Sequence, residues 1–305
     1  MLYFIVNKRA KSGKGMKLWA QIRTVLKDRC AEYKAYNVQA VGASRRIASA
    51  ISKNDDPDKR IIVVGGDGTV NEVINGITDW DRVKLGVIPC GSGNDFARGL
   101  GIKGSVEELL ERYMNSNEYR TIDVGCLSYG NVSRYFGISS GVGLDAIVCK
   151  KTNGSRLKKV LNKVGLGKLT YIILTVQTLF TMKTYDMQIR QANGTVKDYK
   201  RVIFLAGMNM VAEGGGVPMA PGASASDGRL SVCVAHKIPR WRAFLSLPFL
   251  VVAKHEGIKG FEVFDTESVE ITVSEPVTVH GDGDVCGEFQ RIKLTCIPNR
   301  LKIII

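Results

Sequence analysis

The chain has 305 residues, 45% of them hydrophobic and 24% charged, enough for two domains and a sizeable core. Its formal net charge of +14 fits an anionic partner: nucleic acid, a phosphorylated substrate or an acidic membrane surface. Seven scattered cysteines form no Cys-x-x-Cys pair, so zinc and redox motifs are absent and reduced thiols in a cytoplasm are expected.

The first ten residues, MLYFIVNKRA, run straight into a strand-like segment, so no secretory signal is expected. The longest uncharged stretch, Leu169–Met182, is too short and too rich in Thr and Gln to span a bilayer. A soluble or peripheral protein is the expectation.

In chain order, Leu2–Val6 reads as a strand and Met16–Lys27 as a helix, with Leu18, Ile22, Val25 and Leu26 on one face. Ser44–Ile51 is a second helix. Ile61–Val64 is a wholly apolar strand of the kind covered on both faces. A helix is expected to start at Val70, because Thr69-Val-Asn-Glu72 matches a capping box. Leu85–Ile88 is another buried strand, followed by helices at Asp95–Leu100 and Ser105–Met114. This alternation predicts a doubly wound parallel sheet.

The character changes near Thr121. Beyond Arg134 the pattern is mostly β, at Tyr135–Ile138, Met187–Arg190, Arg201–Ala206, Leu230–Ala235, Ser268–Val273 and Val277–His280. Helices are expected at Arg156–Lys183 and Arg240–Lys254. The fold class is therefore an α/β doubly wound nucleotide-binding domain followed by a β-rich, sandwich-like domain.

Three loops after strands have the make-up of phosphate cradles. In the first, Gly65-Gly66-Asp67-Gly68-Thr69, glycines permit close approach of a ligand and a helix start offers free N–H groups. An aspartate beside phosphates implies an intervening cation, so Asp67 points to Mg²⁺. The alternative is a tight strand–helix turn capped by Asp67. The second loop, Pro89-Cys-Gly-Ser92-Gly-Asn94-Asp95, has Ser92 as a phosphate donor and Asn94 or Asp95 as a helix cap. Two such loops at strand tips of one sheet converge on one crevice. The third, Asn7-Lys8-Arg9-Ala10-Lys11 to Gly15, could close over a nucleotide or be a solvated basic turn. Neither the Walker A pattern nor the dinucleotide Gly-x-Gly-x-x-Gly is present.

Gly65-Gly-Asp-Gly-Thr69 with Asn71-Glu72, then Gly86-Val-Ile-Pro-x-Gly-Ser-x-Asn94-Asp95-Phe-Ala-Arg98, resembles the diacylglycerol kinase catalytic-domain family. The whole chain is similar in length and order to the soluble bacterial lipid kinases of that family. The resemblance implies domains at 1–122, rejoined by 294–305, and at 123–293. It places ATP phosphates on Gly65, Gly66, Asp67, Gly68, Thr69, Val70 and Asn71, with Ser92 on the nucleotide and Asn7–Lys11 at its edge. It assigns Asp95 and Asp123, with Asp67, to organising catalytic Mg²⁺. Ser224-Ala-Ser-Asp227-Gly-Arg229 looks like the family's structural metal segment, or else a hairpin turn, since Asp-Gly is a common turn pair. His280-Gly-Asp282-Gly-Asp284 aligns with the family's Asp-Gly-Glu, which makes Asp284 the general base and Asp282 a lesser stand-in. Lys8 stands where relatives often carry proline, and Val38 where a threonine is usual.

From Ala146 to Tyr185 there is no Asp or Glu but eight Lys or Arg, at 150, 151, 156, 158, 159, 163, 168 and 183. That suits an anionic leaflet. The helix Arg240–Lys254 carries Trp241, Phe244, Leu245 and Phe249 between basic ends, which suits a lipid-facing surface, an acyl-chain groove or a buried helix. The three histidines lack metal-ligand spacing and are expected at the surface.

The expected activity is transfer of the ATP γ-phosphoryl group to diacylglycerol. The alternatives are another hydroxyl acceptor (sphingoid base, glycolipid or NAD) or a catalytically silent lipid-binding regulator. Nucleic acid is not an expected partner. The expected location is the cytoplasmic face of the membrane, with a homodimer as a candidate assembly.

Overall fold

The computed structural model describes residues 1–153 and 167–304, with side chains at those positions other than 12, 153 and 167–171. The chain divides into two compact units, residues 1–124 with 298–305 and residues 125–297. Two long strands, β5 (Tyr119–Tyr129) and β13 (Asp284–Ile304), contribute residues to both.

In the first unit β1 (Leu2–Val6), β2 (Tyr33–Asn37), β3 (Lys59–Gly65) and β4 (Val83–Pro89) are parallel, in the order β2-β1-β3-β4. The end of β13 adds a short parallel pairing, Lys302 opposite Lys84 and Ile303 opposite Leu85. On one face Phe4, Val6, Ile62 and Val64 meet Trp19 and Ile22 of α1 (Ala10–Asp28) and Leu110 and Tyr113 of α5 (Val106–Asn115). The alternate residues Tyr3, Ile5, Ile61 and Val63 are also buried, so both faces are covered, as the unbroken apolar run Ile61–Val64 requires. Tyr113 satisfies the buried backbone of β4 at Val87. Its hydroxyl donates to the Val87 carbonyl at 2.7 Å and accepts from the Val87 N–H at 3.1 Å.

The expected start of α3 is displaced. α3 spans Asp67–Ile74 with Gly66 at its N-cap, and the Thr69–Glu72 capping box does not form. Glu72 instead accepts from the backbone N–H groups of Gly42 (2.7 Å) and Ser44 (3.0 Å), at the start of α2 (Ala43–Ser52). A charged acceptor on orphan amides of a neighbouring helix outcompetes the local box. α1 likewise begins at Ala10 rather than Met16, with positive φ at Lys11 and Gly13 in its first turns. The capping box at the head of α5 is present, between Ser105 and Glu108.

The second unit is antiparallel, in the order β11 (Phe261–Thr266), β10 (Leu230–His236), β9 (Val196–Met208), β7 (Ser139–Gly143), β12 (Ser268–Gly281) and β13. β8 (Tyr185–Gln191) pairs with both β12 and β9, and β6 (Val132–Phe136) with β5. Two cores share the strands. On β10, Leu230, Val232 and Val234 enter one core, while Cys233 and Ala235 enter the other. The second core is completed by α6 (Leu144–Asn153), α7 (Gly167–Thr181) and α8 (Arg240–Val251) through Val148, Leu179, Ala243 and Leu250. Of the helix expected over Arg156–Lys183, α7 is seen; residues 154–166, with Arg156, Lys158, Lys159 and Lys163, lie outside the described residues.

Candidate active site

The first unit has a topological switch point. From β1 the chain steps out to β2 on one side, then crosses to β3 on the other. Ligands of doubly wound sheets bind at the carboxyl ends of the strands flanking such a reversal. Asn7 follows β1 there, Gly66–Thr69 follows β3 and Cys90–Asp95 follows β4. Asn7 Nδ2 donates to Thr69 Oγ1 at 3.1 Å, and its Oδ1 accepts from the Arg9 N–H, which ties the basic loop to the head of α3. The Cys90 N–H donates to the Gly65 carbonyl at 2.8 Å.

The glycines divide into two kinds. A Cβ on Gly66 would lie 2.8 Å from Gly91 Cα, and one on Gly91 would lie 2.6 Å from Gly66 Cα. Those two glycines let the loops touch backbone to backbone. Gly68 faces open space, with nothing within 4 Å of where a Cβ would stand. At the first two positions of α3, the Asp67 and Gly68 N–H groups have no intrahelical acceptor. Bare backbone and free amides at one helix start suit an anion.

Asp67 and Asp95 come together around Gly93. A Cβ there would lie 3.0 Å from Asp67 Oδ2 and 3.1 Å from Asp95 Oδ2. Asp67 Oδ1 accepts from the Phe96 N–H at 3.1 Å and so caps α4 (Asp95–Gly99). The cap expected from Asn94 is not made. Asn94 is held at φ +55° while its Oδ1 takes the Gly91 N–H at 2.6 Å, which closes the glycine loop on itself. Asp95 is buried and paired with Arg98, whose second nitrogen donates to the Gly93 carbonyl at 2.7 Å. Ser92 is exposed, whereas Val70 and Asn71 are buried. Asp123 on β5 is fully buried and accepts from the Asn299 N–H at 2.8 Å. Two oxygen-only carboxylates converging beside free amides suit a hard cation such as Mg²⁺.

A cavity of about 730 Å³ in this unit lies at the opposite, amino-terminal end of the strands, lined by Tyr3, Asp56, Asp58 and Arg60. Two of its acids are already paired, Asp56 with the N-terminal amine and Asp58 with Arg60 and Lys84. It has the character of a charge-paired rim, and the glycine loops remain the better candidate.

In the second unit the segment 281–284 is a tight hairpin. Gly281 pairs with Asp284, and both central residues have positive φ, Asp282 at 49° and Gly283 at 81°. This is the Asp-Gly turn that matches strand twist. Asp282 is a structural anchor. Its Oδ1 accepts from the Ile138 (2.8 Å) and Ser139 (3.0 Å) N–H groups, and its Oδ2 from Gly137 (2.8 Å). Asp284, at the start of β13, is half-exposed and accepts from Arg134 at 2.7 Å. Asp227 is exposed in a turn and accepts from the Arg229 N–H at 3.0 Å.

The expectation of surface histidines is overturned. His255 and His280 are buried and His236 half-buried. Nε2 of His280 lies 2.9 Å from Asp145 Oδ2, and a ligand atom of Glu213 lies within 4.8 Å of both. Burial opposes protonation of His280, but Asp145, Glu213 and Asp282 outweigh it and push the pKa up to about 9. When the ring is neutral, Nδ1 can accept the Gly283 N–H at 3.2 Å and so brace the Asp284 hairpin. Glu213 also accepts from the Ser139 hydroxyl. No spacing rule finds this cluster, because its members come from three segments separated by at least 67 residues. The nearest sequence signal is glycine at 141, where a Cβ would lie 2.4 Å from Asp145 Oδ2.

Comparison with known proteins matches the chain to two family models in succession. Residues 1–127 match the family model of the diacylglycerol kinase catalytic domain, and residues 138–305 match that of the YegS C-terminal NAD kinase beta sandwich-like domain. A Bacillus subtilis protein, "Putative lipid kinase YtlR", is 27% identical over 99% of this chain and 98% of its own. A Staphylococcus aureus diacylglycerol kinase is 31% identical over 68% of this chain and 61% of its own. A crystal structure of "a putative diacylglycerol kinase" from Bacillus anthracis superposes with a TM-score of 0.77 over 99% of this chain and 94% of that one. At 22% identity that likeness concerns the fold.

Proposed function

Because the chain belongs to the diacylglycerol kinase catalytic-domain family of lipid kinases, we propose that it transfers the γ-phosphoryl group of ATP to the hydroxyl of diacylglycerol, giving phosphatidic acid. The observation that carries this reading is the contact between Gly66 and Gly91, which puts the free N–H groups of α3 and the carboxylates of Asp67 and Asp95 in one place at the switch point. Positioning and electrostatic stabilisation supply most of the catalysis in phosphoryl transfer, and those are what such a cradle provides.

In this reading the Asp67 and Gly68 amides hold phosphate oxygens, and Gly68 admits them by its missing side chain. Ser92 donates a hydroxyl, while Asn7, Lys8, Arg9, Ala10 and Lys11 border the nucleotide, their cations favouring its charge. Gly65, Val70 and Asn71 support the cradle from the backbone. Asp67 and Asp95 would hold Mg²⁺, which when bound neutralises charge on the phosphates. Asp123 would act from its buried position beside the Asn299 amide. Asp284 would take the proton from the acceptor hydroxyl, and Arg134 orients its carboxylate. Asp227, with backbone oxygens of Ser224 and Arg229, is the proposed structural cation site. The uninterrupted basic charge of 146–185 favours an anionic membrane as the place where the acceptor is met.

The test is γ-phosphoryl transfer from labelled ATP to a panel of micellar lipids, a dispersed short-chain diacylglycerol, and NAD. Transfer to diacylglycerol is the expected result. NAD is included because the second family model is named for NAD kinase. Transfer to NAD and to no lipid would reject the reading, and ATP binding without transfer would mark a silent regulator. Asp67→Asn, which keeps an oxygen for the Phe96 amide, should lose Mg²⁺-dependent turnover with the fold intact.

A further inference from the structure

From its sequence α8 suits a lipid-facing surface, an acyl-chain groove or a buried helix. It buries only Ala243, Ser246 and Leu250. Trp241 is 60% exposed, Leu245 57% and Val251 60%. On α7, Ile172 and Phe180 are exposed as well. An amphipathic surface helix of a globular protein turns such side chains toward the core. Here two neighbouring helices turn them outward.

The two faces form one patch. The Phe180 and Phe244 ring centroids are 6.0 Å apart. The Arg240 guanidinium donates to the carbonyls of Phe180 and Met182, which caps the end of α7 and fixes it against the start of α8. The rim is cationic. Lys183, Lys237, Arg242 and Lys254 are exposed, and no Asp or Glu lies between Lys237 and Lys254 or between Ala146 and Tyr185. Among the described residues, no helix is long and apolar enough to cross a membrane. A short helix with bulky apolar side chains and flanking cations lies in the plane of a bilayer interface.

We propose that α7 and α8 form an insertion face that seats the protein on an anionic lipid bilayer, with Phe180, Trp241, Leu245 and Phe249 among the acyl chains and Arg242, Lys237 and Lys254 at the headgroups. A second copy of the chain is a poorer occupant, because a two-fold pairing of this patch would set its cationic rim against itself. The inference rests on the lipid-kinase reading for its purpose and adds the surface that makes contact. It also differs from docking by charge alone: cations steer the approach and weaken with salt, whereas inserted apolar area does not.

Trp241 supplies the probe. Trp19 and Trp80 are buried, so a change in tryptophan emission on binding reports α8. Vesicles of phosphatidylglycerol and phosphatidylcholine, with bromine on the acyl chains, should quench and blue-shift that emission. Pelleting with the same vesicles should keep a component resistant to high salt. Leu245→Ser with Phe249→Ser should lower the vesicle partition coefficient by about tenfold or more, with an unchanged far-UV circular dichroism spectrum. Pelleting without quenching by the acyl-chain bromine, or fully reversed by salt, would overturn insertion. So would a dimer in sedimentation whose Trp241 emission is already blue-shifted without lipid. Phosphorylation of dispersed short-chain diacylglycerol by a protein that ignores vesicles would sink insertion and leave the kinase reading standing. Quenching without transfer to any lipid would do the reverse.

Discussion

Asp282 and Asp284 sit two residues apart on one hairpin, yet their removal should have opposite consequences. Asp282 takes three backbone N–H groups, from Gly137, Ile138 and Ser139, at 2.8, 2.8 and 3.0 Å. Hydrogen bonds to a charged acceptor contribute about 1.5–3 kcal/mol each, and less than additively when they share one. Asp282→Ala should therefore cost about 3–5 kcal/mol, a large share of the roughly 5–15 kcal/mol that holds a typical protein folded. Asp282→Asn keeps the oxygen shared by Ile138 and Ser139 but turns an amide toward Gly137, so it should cost about half as much. Asp284 pairs with Arg134, and its side chain is 47% exposed. Asp284→Ala should move stability by no more than about 1 kcal/mol. Its turnover should fall by roughly 10²–10⁴ if it is the base. Urea unfolding followed by far-UV circular dichroism, beside a labelled-ATP assay, reads both quantities. An Asp282→Ala protein with the wild-type midpoint, or a fully active Asp284→Ala protein, would refute the division of labour.

Tyr113→Phe leaves both polar groups of Val87 without their partner in a buried place, so it should lower stability by about 1–3 kcal/mol; an unchanged urea midpoint would count against that role. Gly91→Ala forces a Cβ to within 2.6 Å of Gly66 Cα and should depress both the melting temperature and ATP affinity, whereas Gly68→Ala, which meets nothing, should depress ATP affinity alone. Thermal melts with and without ATP separate the two. The folded pKa of His280 is pushed up to about 9 from the 6.5 usual for histidine, so its contribution is complete below pH 6.5 and is lost as pH rises toward 9. That amounts to a fall on the order of 3 kcal/mol across that window, from 2.5 pH units at about 1.36 kcal/mol each. His280→Gln should flatten that part of the stability–pH curve, and a parallel curve would refute the linkage.

Ile61–Val64 named itself as a covered strand because a segment apolar on both faces has no other stable place. Gly65–Thr69 and Gly91–Asp95 are legible as glycine loops at helix starts because turn chemistry is written in adjacent residues. Tertiary structure decided how those motifs are used. Glu72 caps α2 and Asp67 caps α4, each serving a helix other than its own, since an ionised acceptor goes to whichever orphan amides lie in reach. Asp282, in the sequence only a lesser stand-in for the base, holds amides more than 140 residues away. His280, expected at the surface, lies against Asp145 inside the second unit. Periodicity and local motifs describe forces acting within a few residues. The desolvation and pairing of buried charges depend on segments that only folding brings together, and a linear reading has no access to them.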